Sequence, residues 1–364
     1  MRILIATGGT GGHLYPAIVL ARELKKRGCE VLFVLKANET SPKEILSDQF
    51  ASVPVAGAPF DRSNPLRNLS GAFSNFKGLF QGLRVIGTFK PDIAVGFGGY
   101  ASVAVVLASA IKGIPIIIHE QNVVPGFANK VCAVFARRVA VSFKETLGAF
   151  PKKGVLVGNL IREDLFSLDR AAAFKSLGLK EGRKTILVFG GSAGSRSINK
   201  AVLRCLGPLK DLSNNLQFVH QTGHPDETAA LKERYQEYGF HALVRDYFPE
   251  MSLCYSACDL VVARAGAGAV SELAATRNPA ILIPYAHAAG NHQMKNAETL
   301  AGIGAAKVLE ESENIHVQLS NLIRDMITSP RILDQMRENV RRFQAPLKEA
   351  PQKLAELIFA IQKQ

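Results

Sequence analysis

The chain has 364 residues, 47% hydrophobic and 21% charged, with 44 Lys and Arg against 31 Asp and Glu for a formal net charge of +13. That size and composition suit two globular domains and exclude a disordered or fibrous chain. The five cysteines (Cys29, Cys132, Cys205, Cys254, Cys258) are odd in number and lack CxxC spacing, which argues against a disulfide framework and for buried thiols in a reducing cytoplasm.

Arg2 to Ala6 is a short β-branched apolar run. It is too short for a signal peptide and leads directly into Gly8-Gly9-Thr10-Gly11-Gly12-His13. Pro16 to Arg27 follows with helical periodicity, Ala17, Leu20, Ala21 and Leu24 sharing one face, and Gly28 stands where a helix cap is expected. Val31 to Leu35 is the next strand, so the chain opens as strand, loop, helix, strand, the start of a doubly wound sheet. Phe60 to Phe89 mixes Phe60, Leu66, Leu69, Phe73, Phe76, Leu79, Phe80 and Leu83 with Arg62, Arg67, Lys77 and Arg84. This is either a core helix with a basic edge or a segment that docks on an anionic bilayer. Strand Ile93 to Gly96 comes next. The apolar stretch Ala101 to Ile118 is broken by Lys112, Gly113 and Pro115, so it reads as a buried helix, a turn and a strand over Ile114 to His119, not a membrane span. After strand Val139 to Val141 and a turn at Pro151 to Gly154, a boundary is expected near residue 160.

The second half repeats the opening: strand Thr185 to Phe189, loop Gly190-Gly191-Ser192-Ala193-Gly194-Ser195, then a helix from Ile198. Strands are expected at Gln217 to Val219, Leu260 to Val262 and Ala280 to Ile283, and an amphipathic helix closes the chain at 346–364. The fold class is therefore α/β, with two Rossmann-like domains over 1–160 and 161–345. The charge is uneven. Residues 1–160 carry 19 basic and 9 acidic side chains (+10), and 161–364 carry 25 and 22 (+3). A basic first half suits an anionic membrane surface. No zinc-finger, RNP or helix-turn-helix pattern supports a nucleic-acid partner.

Ligands of open α/β sheets gather beyond the carboxyl ends of the strands, so the loops there are the candidate site. The loop from Gly8 fails the dinucleotide register and has no Gly-Lys-Ser/Thr. His13 at the loop–helix junction is either structural or catalytic. Gly98-Gly99-Tyr100 and His119-Glu120-Gln121-Asn122 stand at two further strand ends, as tight turns and caps or as ligand loops. Arg264 to Glu272 is rich in Ala and Gly and leads into a helix expected over Val270 to Thr276, which would put Glu272 in its first turn, near the positive end of the dipole. Glu272 is also placed to accept from ribose hydroxyls, as acidic residues do in other nucleotide folds. Asn291-His292-Gln293 with Asn296 offers amides that suit a hydroxyl-rich ligand. Arg162 suits a diphosphate. No Asp-x-Asp occurs, so no metal or other cofactor is expected, and a helix N-terminus with Arg162 is left to hold the diphosphate.

Taken in order, Gly8 to His13, Gly98 to Tyr100, His119 to Asn122, Gly158-Asn159 with Arg162, Gly190 to Ser192, His220-Gln221-Thr222-Gly223, Arg264 to Glu272, and Asn291 to Gln293 with Asn296-Ala297 resemble the MurG family over nearly the whole chain. The resemblance implies the GT-B architecture, two facing domains with a cleft between them. It also implies inverting transfer of N-acetylglucosamine from UDP-N-acetylglucosamine to lipid I, giving lipid II, at the cytoplasmic face of the inner membrane. By carry-over, Thr10, Gly11, Gly12, Asn122, Arg162, Ser192, Ala267, Gly268, Ala269, Val270, Ser271 and Gln293 contact the donor. Glu272 binds the ribose, and the segment around Phe248 lies along the uracil. His13 is the general base, and Glu120 orients groups at the same site. The first domain would take the acceptor and face the membrane, with the closing helix packed back on it, and the second would take the nucleotide sugar. Other cell-wall synthesis proteins are admitted as partners. Two departures stand out: Ala269 replaces a usual Thr, and Gly290 a common Asp. A UDP-N-acetylglucosamine 2-epimerase, another lipid glycosyltransferase and a non-catalytic nucleotide-sugar binder remain the alternatives.

Overall fold

The computed structural model describes residues 1–8, 11–37, 43–58, 65–191 and 194–362, and leaves the side chains of 43–44 and 65–70 undescribed. Thr10, Ser192, Phe60 and Arg62, and the side chains of Leu66, Arg67 and Leu69, lie outside that set. The chain divides into unit 1, Met1–Ile161 with Gln344–Gln364, and unit 2, Arg162–Phe343.

Elements are numbered in chain order. Unit 1 contains β1 (Arg2–Ala6), α1 (Gly11–Lys26), β2 (Glu30–Lys36), α2 (Lys43–Ser47), β3 (Ala51–Val55), α3 (Pro65–Phe89), β4 (Ile93–Gly96), α4 (Tyr100–Ile111), β5 (Ile116–Glu120), α5 (Phe127–Phe135), β6 (Arg138–Val141) and β7 (Gly154–Leu156). The strands form one parallel sheet in the order β3-β2-β1-β4-β5-β6-β7. Helices cover both faces, so the central strands are continuous apolar runs and Ile3, Ile5, Ile93, Val95 and Ile117 are all fully buried. The last helix, α14 (Ala350–Gln362), places Ala350, Leu354, Ile358 and Ile361 in the same core as α1.

On α3 the apolar residues divide between two faces. Leu79 and Leu83 pack on the core, and Gly82 lets the helix approach α4, where a Cβ would stand 3.1 Å from Ala108 Cβ. Phe73, Phe76 and Phe80 stay 73%, 60% and 56% exposed, beside exposed Lys77 and Arg84. Among the described residues no helix is long and apolar enough to cross a membrane.

Unit 2 repeats the plan with α6 (Arg170–Leu177), β8 (Lys184–Phe189), α7 (Arg196–Cys205), β9 (Leu216–Gln221), α8 (Pro225–Glu237), β10 (His241–Arg245), α9 (Met251–Ala257), β11 (Leu260–Ala263), α10 (Ala267–Thr276), β12 (Ala280–Leu282), α11 (His292–Ala301), β13 (Ala306–Val308), α12 (Ile315–Thr328) and α13 (Pro330–Asn339). Its parallel sheet runs β10-β9-β8-β11-β12-β13. In each sheet the first strand of the unit lies inside, and the order reverses beside it. That reversal is the topological switch point at which this fold class opens a crevice. The strand expected from Ile114 begins at Ile116 and runs on through His119 and Glu120, so those two polar residues are sheet residues and fully buried.

Candidate active site

In unit 1 the site grows from the ends of β1, β4 and β5. Gly98 and Gly99 follow β4 at φ +97° and +85°, a region that favours glycine. A Cβ on Gly99 would stand 2.6 Å from Gly8 Cα, so the loops after β1 and β4 touch only because both positions are glycine. His13, in the first turn of α1, lies over Gly98: a Cβ there would meet its Cδ2 and Nε2 at 3.1 Å and Asn129 Oδ1 at 3.3 Å. The His13 imidazole and the Asn129 amide oxygen thus flank one small patch of backbone at the mouth of the sheet. The Asn129 oxygen is buried and accepts no hydrogen bond among the described residues. Gly11 and Gly12 open α1; Gly12 is exposed, and a Cβ on it would meet nothing within 4 Å.

Glu120 is 1% exposed and its carboxylate is fully engaged. One oxygen accepts from Asn122 N at 2.8 Å and Asn122 Nδ2 at 3.5 Å; the other accepts from Asn129 Nδ2 at 2.8 Å and Gly126 N at 3.1 Å. Burial pushes its pKa up, and the donors from Asn122, Asn129 and Gly126 work against that rise. Glu120 therefore holds the 122–126 loop and positions half-buried Asn122. His119 behind it is a neutral imidazole: Nε2 donates to Gly158 O at 3.2 Å, Nδ1 accepts from Gln121 Nε2 at 3.1 Å, and burial holds the pKa down at about 4.

In unit 2 the helix after β11 starts three residues earlier than expected, at Ala267, with Gly266 as its cap residue. Glu272 is consequently in the second turn, not the first. Three helical N–H groups, those of Ala267, Gly268 and Ala269, precede the first intrahelical bond, which Val270 N makes to Gly266 O at 3.0 Å. Gly266 supplies no side-chain cap, and a Cβ on Gly268 would meet nothing within 4 Å. An anion can sit on these three groups. Val270 and Ser271 are buried, at 0% and 1%, and the Val270 N–H is spent in the helix, so the available contacts narrow to residues 267–269.

Glu272 bonds Tyr255 Oη at 2.9 Å. Burial raises its pKa; the Arg162 guanidinium, and after it the tyrosine hydrogen bond, oppose the rise. Arg162 itself donates to Pro249 O at 3.2 Å, next to Phe248. Phe248 is only 2% exposed and its N–H bonds Gln221 Oε1 at 2.9 Å, so neither its ring nor its N–H is open to a ligand; the exposed ring of this segment is that of Tyr247. Gln293 Oε1 accepts from Tyr285 N at 3.0 Å, which turns its Nε2 donor outward. Gly290 takes φ +64° and Asn291 φ +54° just before α11.

Three supporting side chains were not singled out for these tasks in the sequence. Gln221 joins two loops, donating to Gly191 O at 3.2 Å while accepting from Phe248 N. Tyr255 holds Glu272. Arg264, 8% exposed, donates to Ile283 O, Pro284 O, Ser197 Oγ and Glu311 Oε1 at 2.7–3.2 Å and so ties together the chain segments that follow β8, β12 and β13. Gln221 carried two signals, a polar residue at a strand end and its place in the His220 to Gly223 segment; the bridging roles of all three depend on partners distant in sequence.

The glycosyltransferase family 28 N-terminal domain model matches residues 3–141, and the family 28 C-terminal domain model matches 185–354. Two parallel sheets carrying these domains define a glycosyltransferase of the GT-B class. The chain is 37% identical over 359 residues, 95% of each protein, to the UDP-N-acetylglucosamine--N-acetylmuramyl-(pentapeptide) pyrophosphoryl-undecaprenol N-acetylglucosamine transferase of Halothermothrix orenii. The crystal structure of Acinetobacter baumannii MurG matches it with a TM-score of 0.78 at 26% identity, covering 99% of both chains. A UDP-N-acetylglucosamine 2-epimerase structure also superposes, with a TM-score of 0.68 over 100% of this chain and 97% of the other, but at 14% identity, which shows the fold alone. The chain belongs to the MurG family.

Proposed function

We propose that the chain transfers N-acetylglucosamine from UDP-N-acetylglucosamine to the C4 hydroxyl of the lipid I muramyl sugar, with inversion and release of UDP. The observation that carries this reading is the near-full-length similarity to transferases of that name, combined with a site whose parts suit the reaction. In unit 2 the free N–H groups of residues 267–269 and the Arg162 fork receive the diphosphate, with charge-assisted bonds and the helix dipole both favouring the leaving group's developing charge. Glu272, held by Tyr255, accepts from the ribose. The Gln293 donor faces a sugar oxygen, and Gly11, Gly12 and Asn122 of unit 1 complete the donor contacts, together with Thr10 and Ser192.

His13 acts as general base on the acceptor hydroxyl. Its placement over Gly98, at the mouth of the first βα loop, supports the role. Glu120 serves as a positioning residue through Asn122. Unit 1 takes the acceptor and unit 2 the donor. No metal is required, because protein donors meet the diphosphate. The apolar ring face of α3 beside Lys77 and Arg84 docks on an anionic bilayer, which places the enzyme as a peripheral protein on the cytoplasmic face of the membrane. The test is UDP release from UDP-N-acetylglucosamine with and without lipid I, in detergent, with and without EDTA. Acceptor-dependent release that survives EDTA is expected. Donor binding without acceptor-dependent UDP release moves the reading to an epimerase or a binding module, and conversion of the donor to its C2 epimer, with UDP retained, separates those two.

A further inference from the structure

An open cleft of about 520 Å³ lies at the opposite edge of the unit 2 sheet, where β8 and β11 begin. At its floor is Asp259, 4% exposed. Its carboxylate accepts from Thr185 N at 2.9 Å, Arg170 Nη2 at 3.0 Å and Lys184 Nζ at 3.4 Å, with Arg337 at 3.6 Å. Three cations thus converge on one buried carboxylate. Backbone accounts for part of this excess, since Arg170 also donates to Cys258 O and Arg337 to Asp259 O near the end of α9.

Two features of the wall have no such explanation. Arg277, exposed at φ +55°, has neither an ion pair nor a side-chain hydrogen bond among the described residues. Ser256 Oγ is buried and has no partner among the described residues. Arg341 adds a further guanidinium, and its pair with Glu338 is exposed on both sides (63% and 58%), so it holds that cation weakly. Asp334, which accepts from Arg337 Nη1 at 3.0 Å, and Glu338 are the other carboxylates, so four lining cations, with Lys184 beside them on Asp259, meet three acids.

We propose that this cleft is a second anion site, distinct from the α10 terminus, and that it takes a small polyphosphate, free or carried on a nucleotide. Guanidinium forks match phosphate oxygens bidentately, the serine hydroxyl is a ready donor, and the volume is in the range of small-ligand pockets. The walls all belong to unit 2, with Arg170 at the start of α6, Arg277 after α10, and Arg337 and Arg341 in and after α13.

The experiment is calorimetric titration of inorganic pyrophosphate into the full chain at low ionic strength, with and without saturating UDP. A saturable component of one equivalent that persists under UDP is expected, weakened at least tenfold by Arg277→Glu with Arg341→Glu and unchanged by the control Lys232→Glu. Arg277→Gln, which removes charge without reversing it, should give an intermediate loss. Titration with UDP alone identifies the source. A second UDP equivalent, lost in the double variant, assigns the site to nucleotide phosphates; pyrophosphate binding without it assigns free polyphosphate. Absence of a saturable pyrophosphate component under UDP together with absence of a second UDP equivalent, or a component indifferent to the double variant, overturns the proposal.

Discussion

Acid should destabilise unit 2 through one histidine. His220 is fully buried between Tyr235 Oη (2.9 Å from Nδ1) and Asn199 Oδ1 (3.0 Å from Nε2). The Asn199 Nδ2 group already donates to Thr222 O and Glu227 Oε2, so its oxygen is the acceptor. His220 is thus a neutral imidazole with the proton on Nε2, and burial holds its pKa down at about 3 against 6.5 for an ordinary histidine. Because the folded value is the lower one, the unfolded chain binds the proton first, and stability falls as pH drops below the ordinary value. From about pH 7.5 to pH 5 the loss is about 2 kcal/mol, rising to about 4 kcal/mol if the folded state survives to its own pKa. Glu272 works in the opposite sense: its pKa is raised by burial, so it stabilises the fold as it gains a proton. The contrast with His220→Gln isolates the histidine. Urea unfolding read by pulsed hydrogen exchange of β9 peptides, at both pH values, should show the loss in the wild type and a flatter dependence in the variant. Equal slopes in the two proteins would refute the neutral buried imidazole.

Four further outcomes are expected. His13→Ala should lower kcat by about 10²–10⁴-fold, the usual contribution of a general base, with UDP affinity unchanged by calorimetry. Tyr255→Phe removes the donor to Glu272; a hydrogen bond to a charged group contributes about 1.5–3 kcal/mol, so UDP-sugar affinity should fall roughly tenfold or more while kcat holds. Gly99→Ala forces a Cβ against Gly8 Cα at a φ of +85°, and should cost about 1–3 kcal/mol in unit 1 by urea unfolding as well as activity. Lys77→Glu with Arg84→Glu should weaken flotation with phosphatidylglycerol vesicles at least tenfold, since each basic residue near an anionic surface contributes about 1 kcal/mol, and detergent-phase activity should stay intact.

The alternation of apolar runs and Gly-rich loops was enough to read two parallel sheets, because a strand covered on both faces must be apolar along its length, as Ile3 to Ala6 and Leu260 to Ala263 are. Element ends were less legible. The helix after β11 begins at Ala267 because a run of Ala and Gly offers no side-chain cap to mark its start, and the three-residue shift moves Glu272 by one turn. The split of α3 was equally hidden. Leu79 and Phe80 are neighbours of similar hydropathy, and only the packing of α4 against one face sends the first inward and the second to solvent.

Roles were harder to read than positions, because a polar side chain's role depends on the capacity left after its structural partners are counted. Glu120 at a strand end has the profile of an acid–base group, yet two backbone and two side-chain N–H donors from 122, 126 and 129 occupy it, and they come from the loop after β5 and the first turn of α5, whose path no local pattern encodes. Gln293 loses its oxygen to Tyr285 and keeps a donor, which limits it to recognising an acceptor atom. Phe248 loses its ring to the core and its N–H to Gln221. The same count applied to 267–269 finds three N–H groups with no intrahelical acceptor and a glycine cap that cannot supply one. A helix start at a sheet's carboxyl edge that leaves those donors open sacrifices the roughly 0.5–2 kcal/mol a Ser, Thr, Asp or Asn cap contributes over Ala, although a glycine cap gives up only a few tenths of it. The proposed function gives that loss a reason: a side-chain cap on Gly266 would occupy the donors it assigns to the diphosphate, so Gly266→Asp should stabilise unit 2 and weaken donor binding together.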